Sequence, residues 1–224
     1  MKIQDGRARL RKTSRATPPR FSTDGSAIGP FLLLVALFLA SCAAPDTRHH
    51  IVISTREQKL AVLDGSNLMA VYPVSTSKFG LGDWPGSRFT PLGQLEIAKK
   101  IGDNAPPGAV FKDRRRTGEI VLPDSPGRDP IVTRILWLRG REIQNANAFA
   151  RDIYIHGTPE ERNIGLPASY GCIRMRSSDI IQLYDIVGTG AAVTIVNAPL
   201  ASAVPSMVSA HSMADTNPAP FVMR

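Results

Sequence analysis

The sequence predicts a mainly β domain with one or two short helices, formed by residues 50–197. Short apolar or alternating runs recur along this stretch, as is typical of strands that bury one or both faces. Clusters of Gly, Pro, Asn and Asp separate the runs and supply turns. One segment repeats its apolar residues with the period of an α-helix. A stretch of about 150 residues is long enough for one domain with its own core.

Eight runs are predicted to be strands. Residues 59–63 (KLAVL) and 68–74 (LMAVYPV) flank Asp-Gly-Ser-Asn at 64–67, which predicts a hairpin. Turn clusters at 83–86 (DWPG) and 104–108 (NAPPG) separate later runs. The predicted strands are 51–54, 59–63, 68–74, 93–99, 119–122, 131–138, 152–156 and 191–196.

The predicted helix covers residues 180–187. Its apolar positions fall on one face, because they are spaced at i, i+3, i+4 and i+7. Ser-Ser-Asp at 177–179 is a typical N-terminal cap, and Gly188 is a typical end. The residues on the apolar face are Ile180, Leu183, Tyr184 and Val187.

The N-terminal part of the chain has the pattern of an export signal. Seven basic residues precede an apolar run at 31–40 (FLLLVALFLA), and small residues follow it. The run is about half the roughly 20 residues that a membrane-spanning helix needs. Leu-Ala-Ser-Cys at 39–42 resembles a bacterial lipobox, which predicts a signal peptide at 1–41 and a lipid on Cys42. Ordinary cleavage after Ala44 is the alternative.

A lipidated Cys42 would place the domain in the periplasm behind a short tether at 43–49. Ala43 after the cysteine indicates the outer membrane, and the several acyl chains of such an anchor suffice for stable attachment. At the other end, residues 198–224 are rich in Ala, Pro, Ser and Met without periodicity and are predicted to be a flexible tail.

The charge does not indicate a nucleic-acid partner. The chain carries +8, but residues 1–42 contribute seven basic and two acidic side chains. The remainder holds 20 basic and 17 acidic residues, without the clustered basic face that nucleic acid needs. The one dense run, KDRRR at 112–116, is expected to be a solvated loop.

The second cysteine of the chain, Cys172, is the main candidate for chemistry. If Cys42 carries a lipid, Cys172 has no partner for a disulfide in a compartment that favours disulfides. A lone thiol there is a candidate nucleophile, although free cysteine is also common as a small buried hydrophobe.

A histidine is predicted to approach this thiol. His156 ends the predicted strand 152–156, and the loop at 159–169 returns the chain to Gly171 and Cys172. A thiolate nucleophile needs a base, which an imidazole supplies. Gly171 allows positive φ, and the Gly171 and Cys172 amides could then face a developing oxyanion.

The spacing of these residues alone leaves several interpretations open. His156 and Cys172 form a nucleophilic pair in one and have structural roles in another. A metal site that adds His49 and His50 is disfavoured, because no tight ligand spacing exists. A papain-like protease is disfavoured because its cysteine precedes its histidine.

The motifs resemble the L,D-transpeptidase catalytic domain of bacterial cell-wall enzymes, over residues 50–197. The resemblance rests on the segments HGT at 156–158, IG at 164–165, Ser169, GCIRM at 171–175, TPLG at 90–93, the run 131–140 and the closing GTGAAVTI at 188–195. It implies a β-sandwich, no metal and a cysteine acyl-enzyme. Cys172 would attack the carbonyl between the L-centre of a diamino acid and the terminal D-alanine of a peptidoglycan stem peptide.

The resemblance also implies residue roles and partners. His156 would be the base, Ser169 and Gly171 would shape the loop, and Arg174 would orient substrate or hold the loop. Tyr170 departs from the pattern, because many members carry histidine there; a phenol is a poor base at neutral pH, so the base role falls to His156 alone. The acyl acceptor would be an amine on a stem peptide or on an acceptor protein. The alternatives are an L,D-carboxypeptidase or hydrolase of the same fold, and an idle lipoprotein that binds peptidoglycan.

Overall fold

The computed structural model describes residues 44–204, and the predicted signal peptide, Cys42 and residues 205–224 lie outside this range. The mainly β prediction is confirmed, with two short helices. The strands are β1 (His49–Ser54), β2 (Lys59–Asp64), β3 (Asn67–Pro73), β4 (Gly93–Ile101), β5 (Ala109–Lys112), β6 (Arg115–Ile120), β7 (Ile131–Gly140), β8 (Tyr154–Gly157), β9 (Ile173–Met175) and β10 (Ala192–Val196). The helices are α1 (Ser177–Ile186) and α2 (Leu200–Ala203), and two 3-10 turns cover Ile143–Asn145 and Glu161–Asn163.

The strands form one mixed sheet that branches at β7. Its main path runs β3-β2-β1-β10-β4-β7-β5-β6, while β8 pairs with β7 and β9 pairs with β8. The strand pairs β1–β10 and β8–β9 are parallel, and the other pairs are antiparallel. The branch exists because β7 has three partners: β4 pairs with its residues 135–140, β5 pairs with its residues 131–132, and β8 pairs with its residues 132–137. β8 and β9 thereby form a short two-stranded arm.

Alternating residues of β7 divide the apolar side chains between two clusters. Leu136 and Leu138 belong to the main core, which lies among β1, β2, β4, β8, β9, β10 and α1. Ile135 and Trp137 face the opposite side, where they pack with Tyr154 in a second cluster that Cys172 also contacts. Full burial of such side chains stabilises the fold by about 1.5–3 kcal/mol each.

Two strands that the sequence did not reveal, β5 and β9, complete this sheet. β9 has three residues inside the GCIRM motif, too few to show alternation. The four residues of β5 directly follow the Pro-Pro-Gly turn cluster. The run KDRRR at 112–116 is also not a plain loop: it forms the turn of the β5–β6 hairpin, with Asp113 and Arg114 at positive φ. β6 consequently begins at Arg115, four residues before the predicted strand.

Helix α1 starts earlier than predicted and is not capped by the predicted serines. Its first residue is Ser177, and its N-cap, Arg176, makes no side-chain cap. The Ser177 N–H donates instead to the Glu161 carboxylate at 2.8 Å, and its hydroxyl is bonded to that of Thr133. The cap thus comes from a distant segment, which local sequence does not show.

Both ends of the described chain are packed onto the domain, outside the residues 50–197 that the sequence analysis assigns to it. The Asp46 carboxylate accepts from the Gly188 N–H at 2.6 Å, so the described part of the predicted tether, residues 44–49, is docked at that position. At the other end, Leu200 of α2 and Val204 are buried against Val52. The domain therefore extends past 197, because these apolar side chains cover the outer face of β1 and β2. No helix within residues 44–204 is long and apolar enough to cross a membrane.

Candidate active site

The β8–β9 arm brings the predicted site residues together. His156 and Arg174 are paired in register across the two parallel strands, and Cys172 directly precedes β9. These side chains line a cavity of about 170 Å³. It is lined by Asp129, Ile131, His156, Tyr170, Cys172 and Arg174.

His156 is held as a neutral base. Its Nδ1 lies 2.8 Å from the carbonyl oxygen of Gly157. Because a carbonyl only accepts, the proton is on Nδ1, and Nε2 is left as the acceptor. Burial, assisted by the charge of Arg174 and opposed by the bond to Gly157, lowers the pKa of His156 to about 4. The imidazole is therefore uncharged at neutral pH.

Cys172 rests as a thiol rather than a thiolate. Burial raises the pKa of Cys172 to about 11, against the opposing effects of the Tyr154 N–H and the Arg174 charge. The Sγ–H donates to the carbonyl oxygen of Asp152 at 3.3 Å, a residue with φ of +57°. The nucleophile thus has to be deprotonated during the reaction, and a nearby base is required.

Ser169 and Gly171 shape the loop before the nucleophile. Ser169 is fully buried, and its hydroxyl donates to the Cys172 carbonyl at 2.6 Å and accepts from the Gly171 N–H at 3.2 Å. Gly171 has φ of +125°, and a Cβ there would lie 3.3 Å from the Phe89 carbonyl oxygen. Of the two amides predicted to face an oxyanion, Gly171 thus already has an acceptor. The Cys172 N–H has none among residues 44–204.

The Arg174 side chain is bonded to the loop that precedes Cys172. Its side chain is 8% exposed and is ion-paired with Asp129, and it lies 3.6 Å from the Glu160 carboxylate. It also donates to the Ala168 carbonyl at 3.4 Å. These internal partners favour the loop-holding role over direct substrate binding. The charge still acts on the site, since it lowers the pKa of His156 and of Cys172.

Tyr170 lies at the mouth of the cavity. Its side chain is half exposed, and its ring centroid is 5.3 Å from that of Phe79. The Lys78 ammonium is 4.8 Å and the Arg88 guanidinium 5.3 Å from the Tyr170 ring. Tyr170 therefore contributes an aromatic face between two cations.

A buried ion pair behind the nucleophile was not predicted. Arg151 and Asp83 lie 2.5 Å apart with side chains 7% and 2% exposed. Arg151 also donates to the carbonyls of Ser87 and Phe89. Arg151 directly precedes Asp152, and the Asp152 carbonyl accepts from the Cys172 thiol. The side chain of Arg151 thus connects this part of the chain to the segment beside Gly171. The sequence offers no signal for this pair, because its members are 68 residues apart and lie in a turn and before a strand.

Within residues 44–204, no three His, Cys, Asp or Glu side chains are grouped so as to hold a metal ion. His49 is bonded to Asp46, and His50 to Thr194, so neither lies with His156.

Comparison with known proteins points to one family. The family model described as YkuD, the L,D-transpeptidase catalytic domain, matches residues 48–195. The probable L,D-transpeptidase YcfS of Escherichia coli (strain K12) is 30% identical over 161 residues, which are 70% of this chain and 47% of YcfS. The probable L,D-transpeptidase ErfK/SrfK of the same strain is 48% identical over 158 residues, with the same two coverages.

The chain spans about half the length of these curated relatives. Among solved structures, an L,D-transpeptidase from Mycobacterium smegmatis shares 20% identity at a TM-score of 0.44, covering 66% of this chain and 58% of that chain.

Proposed function

Because the chain belongs to the YkuD family of L,D-transpeptidase catalytic domains, we propose that it transfers an acyl group from a peptidoglycan stem peptide through a thioester on Cys172. The observation that carries the proposal is the shared cavity of Cys172 and His156, with the imidazole neutral and its Nδ1 proton bound by Gly157. A protonated thiol that shares a cavity with an unprotonated imidazole nitrogen can act as a nucleophile with that nitrogen as its general base.

Acylation begins when His156 Nε2 takes the thiol proton as Sγ attacks the carbonyl carbon between the diamino acid and the terminal D-alanine. A C–S bond forms, and the oxygen becomes an oxyanion to which the Cys172 N–H would donate, since that N–H has no acceptor within residues 44–204. Collapse breaks the C–N bond, and the imidazolium gives its proton to the amine of D-alanine, which leaves. The second half repeats these steps with an acceptor amine, whose attack on the thioester restores the thiol.

The pKa values of Cys172 and His156 indicate when the proton passes from the thiol to the imidazole. With pKa values of about 11 and about 4, ionising Cys172 and His156 independently costs about 10 kcal/mol. Attraction between thiolate and imidazolium lowers this cost. A stable ion pair is thus disfavoured in the resting enzyme, and proton transfer is expected to accompany C–S bond formation.

Intact-protein mass spectrometry tests the acyl-enzyme. Incubation with a tetrapeptide donor should add the acyl mass to the wild type and release D-alanine, while Cys172→Ala should do neither. A carbapenem should likewise form an adduct on Cys172. If the wild-type thiol stayed unmodified with both reagents and no D-alanine were released, the proposal would be wrong. The alternative of an idle peptidoglycan-binding protein would then be favoured.

The products identify the acceptor. Cross-linked stem peptides on incubation with sacculi would show an amine acceptor on a second stem, and tripeptides would show that water accepts, as in an L,D-carboxypeptidase. Peptide attached to an added protein would show a protein acceptor. We favour an amine because the family model is that of the L,D-transpeptidases.

We also propose that the enzyme is lipid-anchored in the periplasm, at the outer membrane, through Cys42. The support is the sequence Leu-Ala-Ser-Cys at 39–42 after an apolar run, with Ala43 following. Labelled palmitate should enter the wild type and not Cys42→Ala. Equal labelling of both, or no labelling of the wild type, would contradict the anchor.

A further inference from the structure

We propose that Lys78 and Arg88 form a carboxylate-binding rim at the mouth of the active site, which selects donor stem peptides that carry a free carboxylate next to the reacting segment. This inference rests on the proposed function, since it concerns how the same site recognises its donor. We call the four residues Lys78, Phe79, Arg88 and Tyr170 the cationic rim.

The two cations of the rim converge on the same pair of aromatic rings. The Lys78 ammonium lies 5.4 Å from the Phe79 ring and 4.8 Å from the Tyr170 ring. The Arg88 guanidinium lies 5.4 Å and 5.3 Å from the same two rings. Aromatic faces hold cations in place without neutralising them. The rings therefore order two charges that stay available to an anion.

Neither cation has a carboxylate partner within residues 44–204. The ion pairs of this part of the chain include neither Lys78 nor Arg88. Two like charges that share one aromatic pair repel each other, and a bound anion would relieve that repulsion. The rim is thus electrostatically complementary to an anionic ligand group.

The backbone of the rim is bound to the loop that carries Cys172. The Lys78 N–H donates to the Ser169 carbonyl at 3.2 Å. The Arg88 carbonyl accepts from the Ser77 hydroxyl, and the Arg88 carbonyl carbon lies 3.6 Å from the position that a Cβ on Gly171 would take. An anion held by the rim is therefore positioned relative to the nucleophile.

A cleft leads from the rim to the nucleophile. Lys78 and Tyr170 line a cavity of about 390 Å³, and this cavity shares Tyr170 and Asp129 with the smaller one around Cys172. Two acidic side chains also line it, but both have partners. Asp129 is bonded to Thr158 and paired with Arg174, and Glu160 accepts from the Asn163 amide at 3.0 Å. Among the described residues that line this cleft, Lys78 is the charged side chain without an ion-pair partner, and Arg88 lies beside it against the Tyr170 ring.

The test is a double-mutant cycle in which a carboxylate of the donor peptide and a cation of the rim are each removed, singly and together. Donor tetrapeptides with free carboxylates are compared with peptides in which each carboxyl group outside the reacting bond is converted singly to a carboxamide. D-alanine release gives kcat/KM for the wild type, Lys78→Gln, Arg88→Gln and the double variant. Lys112→Gln, an exposed lysine in the β5–β6 hairpin that lines neither cavity, is the matched control.

The double variant should lose about tenfold to a hundredfold in kcat/KM with the carboxylate donor, the range for a hydrogen bond to a charged group. With one of the carboxamide donors, wild type and double variant should be nearly equal, which identifies the carboxylate that the rim binds. The charge-retaining Lys78→Arg should keep the preference.

An equal loss with every donor would mean that the rim only shapes the loop, and an unchanged kcat/KM would mean that it binds nothing; either result overturns the inference. Failure of the wild type to release D-alanine from any donor would instead refute the proposed function.

Discussion

Arg174 is the register partner of His156 across the parallel strands β8 and β9. A buried guanidinium thus neighbours a buried imidazole, and burial and this charge together lower the pKa of His156. The same guanidinium is paired with Asp129, so it is kept in place whether or not substrate is bound. The arrangement keeps the base neutral over a wide pH range.

The first prediction concerns the acid limb of the pH profile. Because the pKa of His156 is lowered from 6.5 to about 4, acylation by a donor should persist as pH falls from 7 to about 5 and be lost only as pH falls through about 4. Removing the charge in Arg174→Gln should raise the pKa of His156 and move the acid limb to higher pH. The measurement is kcat/KM for D-alanine release between about pH 3 and pH 8. A variant whose rate falls by the same factor at every pH would show that Arg174 only holds the loop.

The second prediction concerns the resting thiol. Raising the pKa of Cys172 from 9.0 to about 11 leaves roughly a hundredfold less thiolate at neutral pH, while each thiolate is several-fold more nucleophilic. Alkylation by iodoacetamide should therefore be about tenfold slower in the folded protein than in the denatured chain, and should accelerate up to about pH 11. Mass spectrometry over time measures both rates. A folded thiol that reacts faster than the denatured one at pH 7 would indicate a resting thiolate and would contradict the proposed order of proton transfer.

The third prediction concerns the ion pair behind the nucleophile. Asp83→Asn leaves the Arg151 guanidinium buried without a counter-charge, which costs about 3–5 kcal/mol of unfolding free energy. The midpoint of thermal unfolding should fall by roughly 10 °C. The matched control is Asp124→Asn, which breaks the exposed pair with Arg162, where side chains are 46% and 59% exposed; such pairs contribute about 1 kcal/mol or less. Equal shifts in the two variants would show that burial does not strengthen the inner pair.

A fourth prediction concerns the C-terminal boundary. Leu200 is 2% exposed in the cluster with Val52, and its N–H donates to Glu57. Truncation after residue 197 should cost several kcal/mol, because removing a buried leucine side chain alone costs about 2–5 kcal/mol. Truncation after Val204 should leave the unfolding midpoint unchanged. A chain ending at 197 that is as stable as one ending at 204 would show that α2 adds nothing to the domain.

The parts of the fold that follow from sequence are those with local periodicity. The strands β1, β2, β4, β7 and β10 each show a run of apolar or alternating residues, and each was predicted with an error of two residues or fewer at either end. β9 escapes prediction because three residues carry no period. The packing of the segments that flank residues 50–197 is not predictable for a different reason. Asp46 is bonded to Gly188, and Leu200 packs against Val52. Both partners are distant in sequence, so local sequence patterns do not predict these contacts.

The residues of the candidate site likewise include some that the sequence predicts and some that it does not. That His156 and Cys172 approach each other could be predicted, because His156 ends a predicted strand and the following loop returns the chain to Gly171 and Cys172. The Asp83–Arg151 pair and the cationic rim are not, since each joins segments that are distant in sequence, Asp83 with Arg151 in the pair and Lys78 and Arg88 with Tyr170 in the rim. Charged residues in turns are common, so their composition alone does not distinguish a buried pair from a solvated one.

The last prediction separates the roles of His156 and Tyr170. His156→Ala should remove most acylation, because general-base assistance contributes about 10²–10⁴-fold. Tyr170→Phe keeps the ring that contacts Phe79, Lys78 and Arg88 and removes only the hydroxyl, which is worth on the order of 1 kcal/mol, or about tenfold at most. Tyr170→Ala should cost more than Tyr170→Phe, since it removes the ring that orders the two cations. Acylation of Cys172 by a tetrapeptide donor, followed by mass, measures all three variants, with Cys172→Ala as the blank. If Tyr170→Phe were as inactive as that blank while His156→Ala remained active, the phenol and not the imidazole would be the base.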